Sequence, residues 1–279
     1  MTEDLSSTVE QHWYADRPGS LLRRIDAALV DAGKDPNAIS ADDLLTVDEF
    51  HIRGRQATEE MAALAAVQPT ESVLDVGSGL GGPSRFLARH SGAQITGIDL
   101  THEYCDVANH LAQRVGLGDQ VTYRQGNALD IPFADASFDV AWTQHISMNI
   151  PEKSQFFGEL YRIVKPGGRV ALYDPIAGDG QPLDFPVPWS RDGQISFLID
   201  TDATKSALTE AGFVIEEWRD VSQRSLDWFQ KQASSGSAPS PLNLGLLLGG
   251  EWQTMAANMV GNIATGRLAV VQVIARRTA

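Results

Sequence analysis

The chain has 279 residues, of which 43% are hydrophobic, and it carries a formal net charge of −14. Phosphates and acidic lipids attract basic surfaces, so this charge disfavours nucleic-acid and acidic-membrane partners. The sequence contains no run of about twenty apolar residues, so it predicts no membrane span. The acidic N-terminus lacks the pattern of a secretory signal, and Cys105 is the single cysteine. These features predict a cytoplasmic location and leave both a monomer and a homodimer open.

Residues 1–68 are predicted to form an N-terminal helical cap. Apolar residues recur at helical spacing around Leu21, Ile25 and Leu29, and again from Met61. A polar segment at 48–60 lies between these two patterns. From residue 69 the pattern changes, so the second predicted domain runs over 69–279.

Strand and helix patterns alternate from Ser72 onwards, which predicts an α/β fold. We expect a doubly wound, Rossmann-like sheet of seven strands that is mostly parallel, with helices on both faces. The predicted strands are SVLDVG, QITGIDL, VTYRQGNAL, FDVAWTQ, RVALYDP, FVIEEW and LAVVQVIAR. The predicted helices after the first strand include GGPSRFLARHS, 102–115, 152–164 and about 202–211.

Two inserts interrupt this alternation. The insert after the fifth strand, at about 175–200, carries FPVPWSRD and is expected to cover the ligand edge together with residues 1–60. The insert after the sixth strand, at about 222–264, is rich in Trp, Phe and Leu. It is either a satellite core or part of a lid. The low-complexity stretch 234–241 within it predicts a loop.

A glycine-rich loop, DVGSGLGG at 75–82, follows the first strand and opens a helix. Gly77, Gly79 and Gly82 fit the GxGxxG pattern of dinucleotide sites, whereas Gly77, Gly79 and Gly81 fit a GxGxG pattern. Asp99 ends the next strand, where its carboxylate can bind both hydroxyls of a ribose. Asp75 favours a cationic ligand over a pyrophosphate, because a carboxylate repels phosphate and attracts ammonium and sulfonium groups.

The loop occurs together with GIDL at 97–100, GNALDIPF at 126–133 and VKPGGRVAL at 164–172. In this combination the chain resembles the class I S-adenosylmethionine-dependent methyltransferases that act on small molecules. It is similar to ubiquinone and menaquinone, sarcosine/dimethylglycine and natural-product methyltransferases over about residues 48–275. The resemblance implies S-adenosylmethionine as cofactor and a small-molecule methyl acceptor. An NAD-dependent oxidoreductase and a non-catalytic S-adenosylmethionine-binding protein are the alternatives.

The resemblance also implies where the cofactor would bind. Gly77 and Gly79 would line its methionine part, Asp75 would reach the amino group, and Asp99 would hold the ribose. The other implied cofactor residues are Leu100 at the adenine, Asn127 and Ala128 at the adenine edge, and Gln144 at the methionine part. Asn127 stands where the family more often has Asp, and a loop cap is its alternative role.

His145 follows Gln144 at the carboxyl end of the fourth strand, where open α/β sheets bind ligands. It is either a general base or a hydrogen-bonded residue that shapes the pocket. Asp174 ends the fifth strand and would orient His145 or bind a cationic acceptor, with a turn cap as the alternative. No set of His, Cys and carboxylate residues has metal-ligand spacing, so no metal is expected.

Acceptor recognition is expected from the segments outside the strand–helix core. His51 and Arg53 in the polar segment would close over the site, with an exposed polar pair as the alternative. Trp189 and Arg191 in the first insert would contact the acceptor, with ordinary packing as the alternative for Trp189.

Overall fold

A computed structural model of the chain describes residues 7–9, 12, 20–178, 180–235 and 240–278. Within these residues seven strands form one sheet, in the order β3-β2-β1-β4-β5-β7-β6. The strands are β1 (Ser72–Val76), β2 (Gln94–Asp99), β3 (Val121–Gln125), β4 (Phe138–Gln144), β5 (Val164–Ala177), β6 (Phe213–Asp220) and β7 (Leu268–Arg277). Strand β7 runs antiparallel to its neighbours β5 and β6. The other neighbouring pairs, β3–β2, β2–β1, β1–β4 and β4–β5, are parallel. The predicted mostly parallel α/β sheet is confirmed.

Besides helical residues at 7–9 and 12, ten α-helices surround this sheet in the described part of the chain. They are α1 (Leu21–Asp31), α2 (Leu45–Asp48), α3 (Gly54–Ala65), α4 (Gly82–Ser91), α5 (His102–Arg114), α6 (Lys153–Ile163), α7 (Thr201–Glu210), α8 (Ser222–Ser234), α9 (Gly245–Leu248) and α10 (Trp252–Ala264). Short 3-10 turns at Ala41–Leu44 and Ser147–Asn149 join them. None of the helices in the described ranges is both long and apolar enough to cross a membrane.

Alternate residues of each strand enter opposite layers of the core, as the two-residue period of a strand requires. Val73 packs in the layer that includes Met61 of α3 and Leu87 of α4. Its neighbour Leu74 packs in the opposite layer, with Phe156 of α6. The sheet is therefore covered by helices on both faces, and its carboxyl edge is left for ligands.

A third apolar cluster joins segments that are distant in the sequence. Helix α1 contributes Leu21 and Ile25, and the insert after β6 contributes Leu247 and Met255. Arg24 adds a hydrogen bond to the backbone oxygen of Leu246, at 2.7 Å. The helical N-terminal region and the second insert therefore build one cover. The division into 1–68 and 69–279 stays a prediction.

Three predicted boundaries differ from the structure. Strand β3 ends at Gln125, because the chain then turns and forms an isolated bridge between Asn127 and Asp130. Strand β5 begins earlier than predicted, at Val164, and includes the PGG sequence. Helix α3 begins at Gly54, inside the segment predicted as a polar connection. Residues 236–239, half of the predicted loop at 234–241, lie outside the described residues.

Candidate active site

A cavity of about 780 Å³ opens at the carboxyl ends of β1, β2 and β4. The walls on one side come from the loops that follow these strands. The walls on the other side come from α2, the turn before α3, and the segments of α8 and of 240–259. The cavity thus lies between the sheet and the cover described above.

The glycine-rich loop forms the floor of the cavity. Gly77 and Gly79 have positive φ angles of 77° and 52°, in the region that glycine adopts at low cost. A Cβ atom at Gly77 would lie 2.1 Å from Cγ2 of Ile146, and one at Gly79 would lie 2.6 Å from Cζ of Phe50. Both glycines line the cavity, and a side chain at either would displace a neighbour.

Two carboxylates stand beside this loop. Oδ2 of Asp75 accepts a hydrogen bond of 2.5 Å from the Ser84 hydroxyl. Burial raises the pKa of Asp75 to about 7, against the opposing effect of Ser84, so a cationic ligand would favour its ionised form. Asp99 accepts hydrogen bonds from the backbone nitrogens of Gly79 and Thr101, each at 2.9 Å. These two contacts orient the Asp99 carboxylate, which lines the cavity.

The remaining residues implied for the cofactor also line the cavity: Leu100, Asn127, Ala128 and Gln144. The amide oxygen of Asn127 accepts a hydrogen bond from the backbone nitrogen of Leu129, so Asn127 also caps its own loop. The amide oxygen of Gln144 accepts from the indole nitrogen of Trp142, at 3.0 Å. Because an indole only donates, this contact identifies the amide oxygen of Gln144. Its amide nitrogen has no hydrogen-bond partner among the described residues, and Gln144 lines the cavity.

The backbone holds both ring nitrogens of His145. Nδ1 lies 3.1 Å from the carbonyl oxygen of Tyr173, and Nε2 lies 3.2 Å from the backbone nitrogen of Ile52. The Ile52 nitrogen can only donate, so Nε2 carries the lone pair and Nδ1 carries the proton. Burial holds the pKa of His145 well below its usual value. The lone pair that a general base needs is therefore already in use, which favours the pocket-shaping interpretation of His145.

Asp174 is fully buried, but it does not line the cavity. Its Oδ1 accepts a hydrogen bond of 3.0 Å from the backbone nitrogen of Ile146. Asp174 thus fixes the turn after β4. Asp174 therefore cannot make the expected contact with a cationic acceptor in the cavity. It does not orient His145 directly either, because the two partners of the His145 ring are backbone groups of Tyr173 and Ile52. Its geometry is that of the turn cap.

Ile52 attaches the turn before α3 to the sheet by two hydrogen bonds. The Tyr173 hydroxyl donates to the carbonyl oxygen of Ile52, at 2.8 Å, while the nitrogen of Ile52 donates to His145. Arg53 follows with a positive φ of 67° and pairs with Glu60 of α3. Arg53 lines the cavity and is buried rather than exposed. The segment 50–54 is therefore part of the wall of the cavity.

His51 lies in the same turn, in a network of buried polar side chains. Its Nε2 is 3.0 Å from Oε2 of Glu49 and 3.1 Å from the Thr58 hydroxyl. The Thr58 hydroxyl donates to the same Glu49 oxygen, at 2.6 Å, and Arg55 donates to the other, at 2.5 Å. Burial alone raises the pKa of Glu49, but His51 and Arg55 outweigh it and lower that pKa below its usual value. Glu49 is therefore an ionised residue inside the cavity wall.

Much of the remaining cavity wall is apolar and aromatic. Phe50 lies against Gly79 of the glycine loop. The other residues of this wall include Ile52, Met148, Pro188, Trp189, Trp228, Phe229, Leu242, Leu244, Leu248, Trp252 and Met259. The sequence left the second insert, with its aromatic residues, as either a satellite core or part of a lid. The lid interpretation of that insert fits these positions, and its Leu247 and Met255 also join the third apolar cluster.

The first insert contributes less than expected. Trp189 is buried at the cavity wall, and its indole nitrogen donates to the Ser196 hydroxyl at 2.9 Å. Arg191 does not line the cavity: its side chain is 43% exposed and pairs with Glu251. The expected acceptor contact of Arg191 is thus not available. It attaches the first insert to the second instead.

The chemistry of the walls fits S-adenosylmethionine. Two carboxylates suit its ammonium and ribose groups, and the unpartnered amide nitrogen of Gln144 can donate to its carboxylate. Glycines give the backbone the close approach that such a ligand needs. Among the described residues, no group of three or more His, Cys, Asp or Glu side chains could hold a metal ion.

Comparisons with known proteins agree with this geometry. Residues 74–172 match the family model described as "Methyltransferase domain". A probable chloroplastic tocopherol O-methyltransferase of Oryza sativa subsp. japonica is 42% identical over 119 residues, which cover 41% of this chain and 33% of that protein. A sterol 24-C-methyltransferase of Yarrowia lipolytica is 30% identical over 203 residues, which cover 68% of this chain and 53% of that protein.

Among solved structures, the geranyl diphosphate C-methyltransferase of Streptomyces coelicolor A3(2) has a TM-score of 0.68 and 19% identity. That structure contains Mg²⁺, geranyl-S-thiolodiphosphate and S-adenosyl-L-homocysteine, and the match covers 99% of both chains. At this identity the likeness establishes a shared fold. The chain spans about a third to just over half of the length of the curated relatives named above.

Proposed function

We propose that this chain, which carries a class I S-adenosylmethionine-dependent methyltransferase domain, transfers a methyl group to a largely apolar small molecule. The observation that carries this proposal is a single cavity with two chemically different halves. One half has the glycine loop with Asp75 and Asp99, and the other has the aromatic and aliphatic walls of the cover. A cationic methyl donor and an apolar acceptor can meet where the halves join.

The bound cofactor would supply a methyl group that its sulfonium already activates. The residues of this chain would then bind, orient and exclude water. We assign Asp75 and Gln144 to the methionine part of the cofactor and Asp99 to the ribose. Leu100, Asn127 and Ala128 would surround the adenine. In the other half we assign His51, Arg53 and Trp189 to the acceptor.

The chemical class of the acceptor follows from the apolar half. A molecule with a polar reactive end and an apolar body would place the body against Trp228 and Phe229. The names of two relatives, a tocopherol and a sterol methyltransferase, support an acceptor of this kind. We also infer a cytoplasmic location, for which the net charge of −14 and the single cysteine give support. A monomer or homodimer remains the expectation for the oligomeric state.

The test has a binding step and a transfer step. Calorimetry should detect binding of S-adenosylhomocysteine and none of NAD, because Asp75 would repel a pyrophosphate. Transfer of labelled methyl should then be screened over alkylphenols, sterols, isoprenoid diphosphates, long-chain amines and small amino acids. We expect transfer to apolar members of the panel. Cofactor binding without methylation of any member would contradict the proposed function and favour a non-catalytic binding protein.

A further inference from the structure

A strap of the cover, residues 45–52, crosses over the glycine-rich loop. Within the strap, Phe50 lines the cavity and is partly buried. A Cβ atom at Gly79 would lie 2.6 Å from Cζ of Phe50, so the edge of this ring rests on the glycine-rich loop. The ring also meets Tyr104 of α5 edge-on, with centroids 6.4 Å apart, and Tyr104 lines the cavity as well. The cover therefore reaches into the cofactor half of the cavity.

We propose that Phe50 is a further cofactor-binding residue, which covers S-adenosylmethionine beside Gly79, and that Asp48 and Arg85 are its positioning residues. This inference rests on the proposed placement of the cofactor at the glycine-rich loop, and it extends that site into the cover. A phenylalanine ring suits this place because it can cover the carbon atoms of the ligand and exclude water from the reacting sulfur.

The contact between Asp48 and Arg85 is a buried ion pair. Oδ2 of Asp48 accepts a hydrogen bond from Nη2 of Arg85, and each side chain is 1% exposed. Nη1 of Arg85 donates to the carbonyl oxygen of Leu80 in the glycine-rich loop, at 2.8 Å. Asp48 stands two residues before Phe50. Arg85 thus joins the strap to the loop on which the Phe50 ring rests.

A second contact sets the distance between the strap and α4. A Cβ atom at Gly82, the first residue of α4, would lie 2.4 Å from the backbone oxygen of Asp48. Glycine at this position therefore lets the strap lie close to the helix. Because the obstructing atom belongs to the backbone, it cannot rotate away from a side chain at Gly82. Gly82 itself does not line the cavity, so a substitution there would act on the cofactor through the strap.

The first test measures binding of S-adenosylhomocysteine to the full chain by calorimetry at pH 8. Burial raises the pKa of Asp48 to about 6, against the opposing effect of Arg85, so its carboxylate is ionised at this pH. Phe50→Leu should raise the dissociation constant about tenfold or more, because the ring surface over the ligand is lost. An unchanged dissociation constant would overturn the proposal.

Phe133→Leu is the matched control for Phe50→Leu. Phe133 is also partly buried, but it packs in the opposite layer of the core and does not line the cavity. Its substitution should leave the dissociation constant within about twofold. Equal losses of affinity in the two variants would show a general effect of core packing and would contradict a contact between Phe50 and the cofactor.

The second test moves the strap and leaves the Phe50 side chain in place. Gly82→Ala should raise the dissociation constant of S-adenosylhomocysteine about tenfold or more, because the strap must move away from α4. Gly158→Ala, on α6, is the control, since a Cβ atom there has no neighbour within 4 Å. Wild-type affinity in Gly82→Ala would show that the strap does not contribute to cofactor binding.

A double-mutant cycle tests the positioning role of Asp48. Asp48→Asn should raise the dissociation constant about fivefold in the wild type and less than twofold in the Phe50→Leu variant, since both changes remove one contact. Effects that simply multiply would show that Asp48 acts independently of Phe50, which contradicts its assignment. Glu71→Gln breaks the ion pair with Arg169 near the start of β1 and should leave the dissociation constant unchanged.

The failures of the two proposals are distinguishable. If the wild-type chain does not bind S-adenosylhomocysteine, the proposed cofactor site itself fails. If the wild type binds it and both Phe50→Leu and Gly82→Ala bind equally well, the cofactor site stands and the role of the strap is wrong.

Discussion

Gly77 is restricted to glycine by two independent features of its position. Its φ of 77° is unfavourable for other residues, and a Cβ atom there would meet Ile146 at 2.1 Å. Gly116 shares the first feature, with a φ of 73°, but has open space around it. Comparing Gly77 with Gly116 therefore separates two effects of a substitution: the strain of the backbone at positive φ, and the clash of a new side chain with the cavity floor.

We predict that Gly77→Ala severely weakens binding of S-adenosylhomocysteine, because Ile146 or the loop must move into the cavity. Gly116→Ala should reduce the free energy of unfolding by about 1 kcal/mol and leave binding intact. Calorimetry and urea unfolding of both variants measure these effects. Equal affinities in the Gly77→Ala variant and the wild type would show that the loop does not contact the cofactor.

At the scale of single residues, the sequence predicts where a residue lies in the fold better than which partner its side chain binds. Asp75, Gly77 and Asp99 could be placed because each is fixed by the strand or loop on which it lies. Asp174 and Arg191 were expected in the site, but their side chains bind a backbone nitrogen and Glu251 instead. Such choices depend on what packs beside the residue, and this information is not local in the sequence.

At the scale of elements, the turn after β4 depends on β5. Asp174 at the far end of β5 accepts the backbone N–H of Ile146, and His145 takes a positive φ of 58° in the same turn. Burial raises the pKa of Asp174 to about 7 from an ordinary value of 3.8. Above this pH the buried carboxylate is ionised, and its burial lowers the free energy of unfolding.

The pH dependence of stability follows from this shift. The stability contributed by a raised pKa is present below about pH 4 and is lost as the pH rises through 7. Asp174→Asn removes the titration and should stabilise the protein at pH 8, by up to about 4 kcal/mol for a shift of about 3 units. The advantage should shrink by about 1.4 kcal/mol per unit between pH 7 and pH 5.

Urea unfolding at several pH values measures this difference, with Asp202→Asn at an exposed position of α7 as control. An advantage of Asp174→Asn that does not depend on pH would mean that Asp174 titrates normally.

Element types were predictable because the strands are short apolar runs with glycine or polar ends. The alternation of strands and helices predicted the doubly wound sheet, but it did not predict the order of the seven strands within it. The start of β5 could not be predicted, since PGG usually interrupts a strand. Here Val164 pairs with Phe138 and Arg169 pairs with Val140, so the PGG sequence lies in the irregular stretch of the β4–β5 register.

At the scale of the whole molecule, the sequence suggested segments of the cover but not how they pack together. Helix α1 packs against residues more than 200 positions away, and only the folded chain brings Leu21 and Leu247 into one cluster. The sequence suggested residues 1–60 and 175–200 as the cap. In the structure the second insert supplies most of the aromatic wall, and the first supplies Pro188 and Trp189.

The two halves of the cavity should therefore be separable by mutation. Phe229 lines the apolar half and contacts Trp228 edge-on, with ring centroids 5.0 Å apart. Phe229→Ala removes apolar surface that an acceptor would cover, which should raise the acceptor KM by about tenfold or more. The dissociation constant of S-adenosylhomocysteine should remain within about twofold, because no cofactor residue is changed.

The control for Phe229→Ala is Val214→Ala, which trims a side chain that is 52% exposed on β6. It should change neither constant. Steady-state kinetics with an acceptor found in the screen, together with calorimetry, decides the outcome. If Phe229→Ala weakens both ligands equally, the second insert closes over the cofactor as well, and the halves do not act independently. If it affects neither, the acceptor lies outside the aromatic wall, and the assignment of an apolar acceptor loses its support.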